Sequence, residues 1–144
     1  MSTLVIDTIQ GKTTAGSINV RGEGSNNTNL QQGLNKAWIN LNGYNTAAIR
    51  DSFNISSFTD NGYGDYTVTI NNDMANANHV VLSGQTTYDG AQDTRWLPTL
   101  KAAGAADWSN YTATAFRCQC KQVANGGAGT DHSLMIYSVV GDLA

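Results

Sequence analysis

The sequence predicts an all-β protein, an antiparallel β-sandwich of jelly-roll-like kind with an extended N-terminal arm and one short helix. Three observations lead there. Only 13% of the 144 residues are charged, about half the common share, and Glu23 is the one glutamate. Polarity rests instead on Asn, Thr, Ser, Gln and Gly, which compete with helical backbone bonds and favour turns. Many of the apolar residues are β-branched or aromatic and alternate with polar ones, the pattern of a pleated strand with one buried face.

The elements follow in chain order. Residues 2–27 read as an extended arm. They hold few large apolar groups, are punctuated by Gly11, Gly16, Gly22 and Gly24, and cannot bury enough surface to order themselves alone. Leu4, Ile6 and Ile9 are the docking contacts expected of such an arm. Residues 28–37 carry the one helix signal: Thr28 as N-cap, Gln31 completing a capping box, and Leu30, Leu34 and Ala37 or Trp38 at helical spacing. Gly33 weakens it, and so short a helix needs packing against copies of itself or against the following domain.

The β-domain is expected to run over residues 38–144. Its strands are Ala37 to Leu41, ended by the turn pair Asn42-Gly43; Ala47 to Ile55, with Ile49, Asp51, Phe53 and Ile55 alternating against Arg50, Ser52 and Asn54; Tyr66 to Ile70, with Tyr66, Val68 and Ile70 on one face; His79 to Gly84; Tyr111 to Val123; and Ser133 to Val140. Asp60 to Asp65 reads as a hairpin connection. Residues 85–110 break the period and read as a long loop with a short helical turn near Lys101, between Thr99 and Ala106.

Charge and hydropathy narrow the partners. The net charge is −3 and no Lys/Arg cluster exists, so no nucleic-acid partner is expected. No apolar run of about 18 residues occurs, so no membrane insertion is expected either. The opening Met1 to Asp7 lacks the basic and apolar regions of a secretory signal, which predicts assembly in a cytoplasm. Cys118 and Cys120 share one face of a strand, too far apart for easy bridging, and are expected as two free buried thiols.

Within this frame, Lys36-Ala37-Trp38-Ile39-Asn40-Leu41-Asn42-Gly43, Ala48-Ile49-Arg50-Asp51-Ser52-Phe53-Asn54-Ile55-Ser56-Ser57 and Thr59-Asp60-Asn61-Gly62-Tyr63-Gly64-Asp65-Tyr66-Thr67-Val68 form a spaced run. The run resembles a domain of phage tail fibres and other virion structural proteins, many from cyanophages and marine phages. Thr8 to Gly16 is similar to the start of such fibre proteins. The resemblance covers residues 5–82 and implies a tailed-phage virion protein whose N-terminal arm attaches to the particle and whose β-rich body is trimeric. Its partners would be itself as a homotrimer, another virion protein, and a host surface receptor or glycan. Its place would be the virion, on the tail as a fibre or appendage, or on the capsid as a head fibre or decoration protein. Trimer contacts are expected at Leu30, Leu34, Trp38 and Arg50; Arg50 either pairs with an acidic residue across the subunit interface or is solvated at the surface.

Chemistry of other kinds finds weaker signals. Asp131-His132 lacks a nucleophile elbow and reads as a turn pair before the last strand, so no enzyme is expected. Cys118, Cys120, His132 and His79 lack zinc-ligand spacing, and Asp60 to Asp65 lacks the ladder of a calcium loop, so no metal or cofactor is expected. The Asn-x-Ser/Thr matches at Asn26, Asn54 and Asn110 read as chance in an Asn-rich chain. Tyr88, Trp96 and Trp108, with Tyr111, form an aromatic set in the aperiodic segment, read as an end cap or intersubunit seam ahead of a glycan platform.

Overall fold

The computed structural model describes residues 3–12, 18–21, 24–85, 96–104, 107–122 and 129–144. The chain divides into two compact units, Met1–Leu34 and Asn35–Ala144. In the first, β1 (Asn19–Arg21) pairs antiparallel with β2 (Asn27–Asn29), and Arg21 Nε donates to Asn27 Oδ1 at 2.9 Å. One helical turn, α1 (Leu30–Gly33), follows, its first amide donating to Ile18 O at 2.9 Å. The helix expected over 28–37 is thereby corrected. Thr28 lies in the ribbon opposite Val20, and the next strand already begins at Asn35. A ten-residue helix interrupted by Gly33 does not offset its own nucleation, while the ribbon satisfies the backbone of the flanking asparagines. No longer helix occurs among the described residues, and none there is long and apolar enough to cross a membrane.

The second unit is all-β. Its strands are β3 (Asn35–Asn42), β4 (Ala48–Phe53), β5 (Ile55–Gly62), β6 (Asp65–Ile70), β7 (Val80–Gln85), β8 (Trp96–Leu100), β9 (Ala115–Gln122) and β10 (Met135–Val140). They make two open four-stranded sheets, ordered β4-β3-β10-β7 and β5-β6-β9-β8, with every pairing antiparallel. The alternation sought in the sequence decides which side chains are buried. Ala37, Ile39 and Leu41 of β3 and Met135, Tyr137 and Val139 of β10 bury from the first sheet; Tyr66, Val68 and Ile70 of β6 and Phe116, Cys118 and Cys120 of β9 bury from the second. All belong to one hydrophobic cluster, in which the rings of Phe116 and Tyr137 lie 5.9 Å apart and tilted.

Three strand expectations are corrected. The strand expected as Ala47 to Ile55 is two strands in two sheets, broken at Asn54, whose φ of 56° no extended strand tolerates. Before that break, a bulge opposite Asn40 and Leu41 absorbs Arg50, so Phe53 lands on the exposed face instead of sharing a face with Ile49. Within 85–110, Trp96–Leu100 is a strand hydrogen-bonded to β9, and residues 99–104 hold no helical turn. Residues 86–95, 105–106 and 123–128 lie outside the described residues. Tyr111 stands before β9, joined to Phe116 by an isolated bridge.

Gly43 has a role the turn rule misses. The left-handed residue of the β3–β4 connection is Asn45, with φ 61°. A Cβ on Gly43 would come within 2.2 Å of Tyr66 Oη, and the Gly43 amide donates to His132 O at 2.8 Å. Glycine stands there because a core tyrosine approaches the backbone.

Asn54 is the corner where the chain leaves one sheet for the other. Its Nδ2 donates to Lys36 O at 2.9 Å and Asn72 O at 3.1 Å, and its Oδ1 accepts from Asn72 N at 2.7 Å. Asn54→Ala removes these bonds and adds the left-handed penalty, an expected loss of about 2–4 kcal/mol in urea unfolding. Asn54→Gly should recover about 1 kcal/mol of it, the backbone share alone.

Candidate functional site

Chemistry-bearing side chains gather at two places in the second unit. The first lies on the outer face of the β5-β6-β9-β8 sheet. Asp65 opens β6, and its carboxylate accepts from Arg117 Nε and Nη2, each at 2.7 Å, and from Lys101 Nζ. Arg117 reaches it because alternation on β9 turns Phe116 and Cys118 inward and the guanidinium outward. Burial alone pushes the Asp65 carboxyl up. The Arg117 and Lys101 hydrogen bonds and charges outweigh it and hold the group below the ordinary carboxylate range. The same pairing pushes the Arg117 guanidinium up.

The second place is a buried polar knot. Asp131 Oδ1 accepts from Gly64 N at 2.7 Å and from Tyr66 Oη at 2.5 Å. Gly64, at φ 65°, sits so close to the 129–130 backbone that a Cβ would lie 2.4 Å from Thr130 N. Burial, and then Asp131, push the Tyr66 hydroxyl well above its ordinary range. Cys118 and Cys120 form no disulfide and are buried on the same side of β9, each pushed up to about 12, chiefly by burial. Tyr137 Oη is buried beside the Cys118 thiol. Burial lowers the His132 imidazole, with Asp131 opposing. Asp131 thus holds a core tyrosine and the Gly64 amide. Among the described residues, no group of three His, Cys, Asp or Glu side chains is placed to hold a metal ion.

The residues singled out from the sequence fall in separate places. Leu4, Ile6 and Ile9 are exposed in a stretch, 3–12, without strand or helix. Leu30 and Leu34 line an apolar hollow of about 270 Å³ with Val20, Thr28, Asn29 and Gly33, all within the first unit. Trp38 and Arg50 belong to the second unit. Trp38 is half-buried on β3, and Arg50 is exposed at the bulge of β4, 3.4 Å from Asn42 Oδ1. Tyr88 lies outside the described residues. Trp96 opens β8, and Trp108 is exposed after the short Gly104–Asp107 bridge. Tyr111 packs instead against His79, ring centroids 4.5 Å apart, with its hydroxyl on His79 O.

The Asp65 cluster is what sequence reasoning missed. Its partners lie 36 and 52 residues away, beyond any local motif. The available signal was a single arginine between two buried positions of a strand.

Two measurements follow. In the unfolded chain Asp65 titrates at the ordinary carboxylate value, so its contribution is complete above about pH 4 and is lost as pH falls through the lower, folded value. Asp65→Asn should cost about 1–3 kcal/mol at pH 7, moderated by the partial exposure of both cations, and should flatten that acid loss in urea titrations. Both thiols should be silent to a thiol reagent at pH 8 in the native protein and both should react in denaturant. Comparison with known proteins adds no relative to this description: no family model, curated protein or solved structure matches the chain.

Proposed function

We propose that the chain is a non-enzymatic virion structural protein of a tailed phage, a homotrimeric tail fibre or appendage that docks through residues 2–27 and presents its β-domain for host attachment. This reading is carried by the spaced run within residues 36–70, which resembles a domain of phage tail fibres and other virion structural proteins. In the fold, that run is one continuous stretch, β3 through β6, spanning both sheets and the Asn54 corner. The sheets are read as the layers of a jelly-roll-like sandwich, supported by core residues drawn from both and by the return of β10 beside β3.

The division at Leu34 supports separate attachment and presentation. Exposed Leu4, Ile6 and Ile9 are side chains that a docking partner would cover, and presentation in threes would raise the avidity of weak contacts. A capsid location, as head fibre or decoration protein, uses the same parts, since a docking segment plus a compact body serves either.

Imaging of labelled particles separates these: label at the tail is expected, and label on the capsid faces would move the protein to the head. Deletion of residues 2–27 should leave a folded oligomer that no longer joins particles. Normal incorporation of that variant would overturn the docking assignment.

A further inference from the structure

The two sheets turn chemically opposite outer faces to their surroundings. On β5-β6-β9-β8 the outward positions include Asp65, Thr67, Thr69, Arg117 and Gln119, as expected of a face in water. On β4-β3-β10-β7 large apolar residues stand among the outward positions, beside Asn40, Asn42, Ser138 and Asp51. Leu82, Ser138, Trp38 and Phe53 form one cross-strand row, flanked by Val80 beside Val140 and by Ile136 beside Gly84. Phe53, Val80, Leu82 and Ile136 are 54%, 52%, 57% and 42% exposed although they stand in regular strands. Alternation thus puts polar groups outward on one sheet and adds a row of exposed large apolar groups on the other.

We infer that this apolar face is where copies of the chain meet, so that its occupant is a second copy of the same protein. The inference rests on the oligomer reading above and replaces the Leu30–Gly33 turn with a sheet face as the gathering element. One feature favours self-contact over a foreign partner. Arg50 and Asp51, of opposite charge, sit side by side at its margin on β4, so that each can pair with the other residue on a neighbouring copy around a threefold axis. The area also fits. Four strands about 4.8 Å apart and six residues long give roughly 400 Å² in plan, the size of patch where soluble proteins place function. That is near half of the about 800 Å² each partner buries in a standard interface, so the contact is concentration-dependent unless other parts of the chain add to it. The bulge and the charge pair on edge strand β4 disfavour growth by strand addition at that edge.

The test is the mass of the full chain by sedimentation or light scattering at micromolar concentration. The unaltered protein should exceed the 15.3 kDa monomer. Leu82→Lys with Ile136→Lys should return it to the monomer with its circular dichroism intact, while Thr67→Lys with Thr69→Lys on the other sheet should leave the oligomer unchanged. Val80→Lys alone, at the sheet edge, should weaken association at least tenfold and guards against misfolding of the double variant. An unaltered protein that is monomeric throughout would overturn the oligomer reading together with the face. An oligomer that survives the Leu82, Ile136 and Val80 changes, or that dissociates equally with the Thr67 and Thr69 changes, would overturn the face alone.

Discussion

The fold of the second unit depends on one asparagine. Asn54 must let the chain stop being β4 in one sheet and become β5 in the other, with no residue between strand and strand but itself. A left-handed φ turns the backbone; the side-chain amide then holds both sides of the corner, tying the β3 carbonyl of Lys36 to the chain leaving β6 at Asn72. Asparagine suits the place because it accepts that conformation at low cost and carries both a donor and an acceptor. Every core residue contributed by β6 and β9 takes its position from where this corner delivers the second sheet.

From that corner two kinds of sheet surface diverge. The sheet entered after Asn54 holds its outer face with a carboxylate gripped by two cations, a cluster with one net positive charge that keeps the face wetted. The sheet left behind presents Trp38, Phe53, Leu82 and Ile136 instead. The bulge at Arg50 is what brings Phe53 to that face. Without it, Phe53 would point inward with Ile49, and the apolar row would end at Trp38.

The legible parts of the molecule are those set by period two. The strands from Asn35, Asp65, Val80, Ala115 and Met135, the inward Tyr66, Val68 and Ile70, and the paired buried thiols all follow from alternation between turn signals. What escaped depends on distant partners. β5 carries Ser, Thr and Asp with little alternation and takes its strand form from pairing with β6, and β8 shows no period yet is recruited by β9. The capping box at Thr28 is a sound local signal overridden by pairing with Val20. The cluster at Asp65 and the knot at Asp131 join residues far apart in sequence, so no spacing rule reaches them.

The amide of Gly43 carries a further consequence, for chemical ageing. An Asn-Gly pair deamidates when the glycine nitrogen swings onto the asparagine side-chain carbonyl and closes a succinimide ring. At Asn42-Gly43 that nitrogen is committed to His132 O, and the Asn42 side-chain nitrogen is held by Tyr44 O and Thr46 O. Ring closure there requires both sets of bonds to open. The bonds that hold the Gly43 amide and the Asn42 side chain therefore also slow succinimide formation at this one of the three Asn-Gly pairs in the sequence.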